Sequence, residues 1–172
     1  MLQRTHLVIR SLVLTTFLAG FAGCYSFKGI SIDPNDRTFF VKTIETQAGN
    51  APPTMALDFT ERLKDKIRQE TRLTFNDEKP DIEFTGKLTD YRVELVAPKP
   101  GEVLSQNRLI AVYRVNLVNN LDEKRSWPSE KSFQHFAEFP STEDLLTVQD
   151  RLITEINNQI LEDIFNAAFN NW

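Results

Sequence analysis

The chain has 172 residues, of which 26% are charged, and its formal net charge is −4 at pH 7. One cysteine and two histidines are too few for a disulfide framework or a Cys/His zinc cluster. This acidic balance is opposite to that of nucleic-acid-binding domains. We therefore expect no nucleic-acid partner, no metal and no cofactor.

The first 23 residues have the order of a secretory signal. Two arginines precede an uncharged apolar segment, which ends in small residues immediately before Cys24. About ten apolar residues are too few to cross a bilayer. A cysteine directly after an Ala-Gly pair is typical of a bacterial lipobox, whose thiol receives a diacylglycerol. We predict a lipoprotein signal peptide at 1–23 and lipidation at Cys24.

The mature chain is the size of one domain. Removing the signal leaves 172 − 23 = 149 residues. The signal holds two basic residues and no acidic ones, so the mature charge is 18 − 24 = −6. Turn-forming residues dominate 24–37, which we interpret as an irregular lipidated leader. The remaining 38–172 forms one predicted α+β domain.

The first half of this domain alternates between strand and helix patterns. A β-branched and aromatic run at 38–44 predicts a strand buried on both faces. Apolar residues spaced four apart from Met55 to Ile67 predict an amphipathic helix with a narrow apolar stripe. The segment 71–75 predicts a short strand.

Two long strands and a shorter one follow. In the first, from Ile82 to Leu95, the apolar residues change parity near Thr89 and Asp90, which predicts a β-bulge there. The second long strand spans 109–118, and a last strand spans 132–139. The loops between these strands are too short to contain crossover helices, so the strands are predicted to be antiparallel.

A long helix closes the chain. Ser141 to Asp144 supply an N-cap and acidic first-turn residues, and a wide apolar stripe continues to about Ala168. The order βαββββα predicts an α+β two-layer sandwich. Its two helices pack on one face of a mainly antiparallel sheet of four to five strands.

Catalytic machinery is not indicated. His135, the one histidine of the mature chain, shares its strand parity with aromatic residues and is interpreted as a core or sheet-face histidine rather than a general base. The six glycines form no phosphate-binding loop. We predict that the protein is not an enzyme.

Two groups of polar residues are candidate contact surfaces. Basic residues on the long strands and their loop could neutralise lipid phosphates, and amides beside the apolar stripe of the last helix could meet a polar partner without desolvating charge. An ordinary solvated surface is the alternative for both. The basic candidates are Lys87, Arg92, Lys99, Arg108 and Arg114, and the amide candidates are Asn157, Asn158, Asn166 and Asn170.

Several segments of the mature chain form a recognisable set. They are 24–29 at the lipidated start, 59–65 with 71–73, Gly86 with Tyr91, 107–109, and 163–172 at the end. Together they resemble the LptE-like lipopolysaccharide-assembly lipoproteins, particularly the Bacteroidetes-type branch. The likeness spans most of the mature chain, and only Cys24 carries over residue by residue.

This resemblance implies both a fold and a function. The implied fold is an α/β sandwich. The implied protein is an outer-membrane lipoprotein of Gram-negative bacteria that plugs an LptD-type β-barrel translocon, helps it assemble and contacts lipopolysaccharide. The basic candidates above then become candidate lipopolysaccharide contacts, and the amide candidates become candidate contacts with the barrel.

The residue after the cysteine bears on where the anchor lies. Tyr25 is not the aspartate associated with inner-membrane retention, and no acidic run of the kind associated with surface export follows. We expect a periplasm-facing anchor in the outer membrane.

Two other functions stay open. One is a periplasmic lipoprotein that regulates a cell-wall synthase or a transporter, which usually needs a longer linker than 25–37. The other is a small lipid-binding carrier, which needs a closed apolar cavity.

Overall fold

The computed structural model describes residues 31–97 and 105–170, so the predicted signal peptide, Cys24 and Lys99 lie outside the described residues. The strands are β1 (Thr38–Val41), β2 (Glu45–Thr46), β3 (Thr74–Phe75), β4 (Ile82–Val96), β5 (Gln106–Asn119) and β6 (Lys131–Pro140). The helices are α1 (Met55–Glu70), α2 (Leu145–Phe169) and a short 3-10 helix (Glu123–Arg125). Neither α1 nor α2 is long and apolar enough to cross a membrane.

The sheet is mixed. Its order is β3-β1-β4-β5-β6, and β2 also pairs with β4. The long pairs β4–β5 and β5–β6 are antiparallel, whereas β1–β3, β1–β4 and β2–β4 are parallel. The α+β prediction is confirmed, but the described residues contain six strands rather than four to five. The parallel pairings exist because α1 carries the chain back along the sheet before β3 and β4 begin.

Both helices pack on one face of this sheet, which we call the covered face. It consists of the buried residues Phe39, Val41, Phe84, Leu88, Tyr91, Leu109, Ala111, Tyr113, Val115, Leu117, Phe133, Ala137 and Phe139. The predicted α1 stripe is confirmed, and at its centre the Phe59 ring stacks on Tyr113 with 4.0 Å between ring centroids. The other face, which we call the open face, carries Lys87, Asp90, Arg92, Glu94, Arg108, Ile110, Val112, Arg114, Asn116, Gln134, Phe136 and Glu138.

The covering of only one face corrects the prediction for β1. Phe39 and Val41 are buried, whereas Thr38 and Phe40 are only partly buried. The strand therefore alternates like the rest of the sheet, because neither of the two long helices in the described part of the chain packs on the open face to bury its second side.

The predicted β-bulge in β4 is confirmed. The register with β5 shifts between Leu88 and Asp90, so Leu88 before the bulge and Tyr91 after it both lie on the covered face. Further along, Val93 is 42% exposed and Leu95 is 73% exposed. The helix layer has ended there, since Tyr91 already contacts the first turns of α2 through Gln149.

Candidate functional site

The structure brings four of the five basic candidates onto the open face. Lys87 and Arg114 are directly opposite each other in the β4–β5 register. Arg92 and Arg108 lie on the same face beyond the bulge. This grouping follows from the alternation of side chains along strands, combined with the change of parity at the bulge.

Most of these charges are already paired. The pairs are Lys87 with Glu130 (Nζ to Oε1, 3.3 Å), Arg108 with Glu138 (Nη2 to Oε1, 2.6 Å), and Arg92 with Asp90 and Glu94. Arg114 is exposed and makes no ion pair with the residues of 31–97 or 105–170. Exposed ion pairs contribute about 0–1 kcal/mol each, so a polyanionic ligand could displace these carboxylates.

Apolar groups lie among these charges. Ile110 is 3% exposed although it points away from the helices, and Phe136 is 45% exposed beside it. The Arg108 guanidinium lies 3.9 Å from the centroid of the Phe136 ring, in a cation–π contact. The open face therefore offers both charged and apolar contacts, as an amphipathic ligand requires.

The structure corrects the assignment of Asn157 to the amide surface. This residue is 2% exposed, and its Oδ1 accepts a hydrogen bond of 3.2 Å from the Tyr113 hydroxyl. Its position beside Ile156 places it at the margin of the wide stripe that faces the sheet. There it supplies the partner that a buried tyrosine hydroxyl needs. Burial raises the pKa of Tyr113, so the hydroxyl stays protonated and donates.

The other amide candidates stay at the surface of α2. Asn158 and Asn166 are exposed, and Asn170 is partly buried. The Asn158 Oδ1 accepts a hydrogen bond of 3.2 Å from Arg62 on α1. Asn166 and Asn170 hydrogen-bond to each other at 2.5 Å. Three of the four amide candidates are therefore accessible to a partner.

His135 lies on the covered side of β6, which confirms its interpretation as a sheet-face histidine. Its Nε2 is 2.9 Å from Oδ2 of Asp163 on α2. Within the described residues no serine, threonine or cysteine side chain hydrogen-bonds to His135. The pair therefore joins the last strand to the last helix.

The sequence did not predict a polar cluster around Asp36. This cluster lies at one end of the sheet, close to the first described residues. Asp36 is 3% exposed, and its carboxylate accepts hydrogen bonds of 3.2 Å from Asn119 and pairs with Arg125. The cluster borders a cleft of about 310 Å³ that Trp127 and Phe169 also line. Asp36 is separated from its partners by 83 and 89 residues, so no local pattern could have indicated it.

We compared this chain with known proteins and solved structures. No curated protein matches the sequence significantly. The solved minor lipoprotein of Acinetobacter baumannii is similar to this chain with a TM-score of 0.51 at 9% identity, covering 76% of this chain and 90% of that chain. The uncharacterized lipoprotein B of Nitrosomonas europaea is similar with a TM-score of 0.49 at 11% identity, covering 80% and 88%.

The Acinetobacter structure shows a shared fold and, at its low identity, nothing further. The family model for lipopolysaccharide assembly, LptE, matches residues 37–168, which is more than half of the chain. The chain therefore belongs to the LptE lipopolysaccharide-assembly family.

Proposed function

We propose that this protein is an outer-membrane lipoprotein that plugs and helps assemble an LptD-type β-barrel translocon, and so supports lipopolysaccharide transport and insertion at the cell surface. The observation that carries the proposal is the family match across residues 37–168. The proposed role is structural and not enzymatic. Lipidation at Cys24, after cleavage of 1–23, would hold the domain at the outer membrane on its periplasmic side.

The shape of the domain supports a plug. Large side chains such as Phe59 and Tyr113 are fully buried between the helices and the sheet, so the interior is filled. The 15 residues of β4 extend about 50 Å at roughly 3.3 Å per residue. A rigid body of this length, with one sheet face uncovered, can occupy a lumen and present the open face to a passing ligand.

The filled interior argues against a small lipid-binding carrier. Such a carrier needs an enclosed apolar cavity that buries most of its ligand. The clefts described in this structure lie at the surface and are bordered by charged residues such as Asp36, Arg62 and Asp150. The plug proposal requires no such cavity.

The proposal is tested by affinity purification of the detergent-extracted, acylated protein. We expect a large outer-membrane β-barrel protein to co-purify with it in a near-stoichiometric amount. Recovery of a cell-wall synthase or a transporter instead would support a regulator and contradict the plug. Recovery of the protein alone would also contradict it.

Anchoring is tested with Cys24→Ala. We expect the unprocessed, unlipidated precursor to accumulate, because both acylation and lipoprotein-type cleavage require the thiol. Normal cleavage and membrane fractionation of this variant would contradict the anchor.

The candidate contact surfaces are tested by two matched pairs of variants. Arg114→Glu on the open face should weaken lipopolysaccharide cross-linking several-fold, whereas Arg151→Glu on the exposed side of α2 should leave it unchanged. Asn166→Asp on α2 should weaken co-purification of the barrel, whereas Gln134→Glu on β6 should not. An equal effect of both members of a pair would remove that surface from the proposal.

A further inference from the structure

Beyond its bulge, β4 has an unpaired edge. The pairing of β2 with β4 ends where Thr46 lies opposite Leu88. From Asp90 to Val96, β4 then pairs with β5 on one side only. Within 31–97 and 105–170 no strand lies on its other side. A free strand edge is a template for adding another strand.

The bulge decides which main-chain groups this edge presents. Before it, the carbonyl of Leu88 points away from β5 and accepts the N–H of Gln47 at 2.8 Å. In an antiparallel pair such outward residues alternate with inward ones. The extra residue at the bulge shifts this alternation by one. The outward N–H and C=O groups beyond the bulge therefore belong to Tyr91, Val93 and Leu95.

Alternating charges follow this edge on the open face. Arg92 lies between Asp90 and Glu94 and pairs with both carboxylates along its own strand. On the covered side the helix layer has ended, so Val93 and Leu95 are exposed. Charged residues on a free edge normally exclude other strands. Because their sign alternates here, they repel a strand of uniform charge and accept one with the opposite order of charges.

The leader of this chain is too short to supply that strand. Described residues begin at Ser31, which lines the same cleft as Ile82 at the start of β4. From Ile82 to Tyr91 the strand extends about 30 Å. The predicted mature leader, 24–30, can reach at most about 25 Å. A second copy of the chain is not available either, since the proposed function places each copy in a separate barrel lumen.

The proposed plug arrangement holds this edge inside the barrel. The edge begins about 30 Å from the end of the domain that carries the leader, and the apolar band of an outer-membrane barrel is about 25 Å tall. A domain anchored on the periplasmic side and inserted lengthwise therefore carries its free edge deep into the lumen. The strands of a closed barrel are all paired with one another. A loop segment that enters the lumen remains available to add a strand.

We propose that an extended loop segment of the barrel partner adds to this edge of β4 as a further strand, with basic, acidic and basic residues opposite Asp90, Arg92 and Glu94. The inference rests on the proposed function, because it names the part of that partner that binds. Residues between these charges are apolar, since they lie beside the exposed side chains of Val93 and Leu95. Main-chain hydrogen bonds supply affinity and the alternate side chains supply specificity. The order basic, apolar, acidic, apolar, basic is the same in both chain directions.

The other long free edge of the described sheet, that of β6, is the control. Because Ile110 of β5 bonds to β4, the next residue, Ala111, bonds to its register partner His135. The main-chain groups of the neighbouring Gln134 therefore point outward, as those of Val93 do. The lysine and the glutamate of β6 differ in parity and point to opposite faces, so this edge carries no alternation of charge.

Photocross-linking of the full-length acylated protein in isolated outer membranes identifies the occupant of the edge. With p-benzoylphenylalanine in place of Val93, we expect attachment to the barrel protein, in a segment with the predicted order of charges. The same group in place of Leu95 should attach to that segment two residues away, because paired strands keep a common period of two. In place of Gln134 it should not attach to that segment.

Proline variants test whether main-chain hydrogen bonds hold the segment. Proline is compatible with a free edge, but Val93→Pro removes an outward N–H. It should lower recovery of the barrel about fivefold, the effect of losing one hydrogen bond of ordinary net strength. Val93→Ala keeps this N–H, and Gln134→Pro removes one from the control edge, so both should leave recovery unchanged. Melting temperatures establish that all three variants remain folded.

Charge exchange tests the register and does not depend on the folding of Val93→Pro. Arg92→Glu places like charges opposite each other and should lower recovery of the barrel several-fold. Replacing the acidic residue of the cross-linked segment by lysine should restore recovery with Arg92→Glu.

Three outcomes would overturn this inference and leave the proposed function intact, because the barrel would still co-purify. They are the absence of a common cross-linked segment for Val93 and Leu95, equal recovery with Val93→Pro and Val93→Ala, and a failure of the exchanged charges to restore recovery. Cross-linking at Val93 to another class of protein would exclude the barrel as the occupant. If the unmodified chain recovers no barrel, the proposed function and this inference both fail.

Discussion

The covered face and the open face are made of alternate residues of the same strands, yet they are held together in different ways. On the covered face, Phe59 and Tyr113 stack with both rings buried. On the open face, the Phe136 ring is half exposed and an arginine lies over it. The difference teaches that the helices determine which face specifies the fold. The other face can change its charges at little cost in stability and is thereby available for contacts.

Phe59→Ala should strongly destabilise the packing of the helices on the covered face. Removing a fully buried aromatic side chain is expected to lower the free energy of unfolding by about 3–5 kcal/mol, a large fraction of the roughly 5–15 kcal/mol that typical domains possess. Urea unfolding followed by circular dichroism measures the loss. Phe136→Ala, the matched change on the open face, should cost less than about 1 kcal/mol. Similar losses for both would contradict the distinction between the faces.

Asn157→Leu should show that the buried Tyr113 hydroxyl on the covered face needs a hydrogen-bond acceptor. It leaves the Tyr113 hydroxyl without its hydrogen-bond acceptor, which is expected to cost about 1–3 kcal/mol of unfolding free energy. Adding Tyr113→Phe removes the unpaired hydroxyl, so the double variant should regain much of the loss. A double-mutant cycle from thermal unfolding gives the coupling, and additive losses would show that the hydrogen bond is unimportant.

Gly86→Ala should show how closely β4 is packed between its neighbours. A Cβ atom there would lie 2.9 Å from the Arg114 carbonyl oxygen and 3.2 Å from Val115 Cγ2. We expect a loss of about 1–2 kcal/mol, because the nearest contact is with main chain that cannot easily move. Gly49→Ala is the control, since no heavy atom lies within 4 Å of its Cβ position. Equal melting temperatures for the two variants would contradict this packing.

Asp81→Asn should produce the smallest and most pH-dependent effect. The Asp81 carboxylate accepts the N–H groups of Arg37 and Thr38 at 2.9 Å, where β1 meets β4. The backbone N–H of Arg37, together with hydrogen bonds from Thr38, holds the pKa of Asp81 below its usual 3.8. Its contribution is therefore present above pH 3.8 and is lost as the pH falls through the lower folded value.

Because Asp81 is only partly buried, we expect its replacement by asparagine to cost less than about 1 kcal/mol at pH 7. The difference between Asp81→Asn and the parent chain should shrink below about pH 4. Urea midpoints measured from pH 7 to pH 3 provide the test. A difference that is constant with pH would show that the charge is not involved.

Local periodicity explains what the sequence could predict. The four-residue spacing from Met55 to Ile67 and the change of parity near Asp90 are properties of adjacent residues, and the structure confirms both the helix and the bulge. The two-layer arrangement then follows from the element order. The existence of the open face, and the grouping of four basic candidates on it, required only the bulge and the strand alternation.

Contacts between distant residues account for what the sequence could not predict. The burial of Asn157 depends on a tyrosine 44 residues away, and the cluster around Asp36 depends on partners that are more distant still. The two-residue strands β2 and β3 pair through their backbones next to longer strands, so their own composition carries little signal. Neither Val93 nor Leu95 could be recognised as exposed without knowing where the helix layer ends.

The bulge in β4 also makes the part of the β4–β5 pair beyond it sensitive to the deletion of a single residue. Its extra residue, Thr89, is held by a hydrogen bond of 3.2 Å from its hydroxyl to the Val112 carbonyl. Deleting this one residue would exchange the roles of every side chain beyond it, turning Arg92 and Glu94 inward and Tyr91 out to solvent. The presence of this one residue therefore determines which side chains face solvent at this end of the molecule.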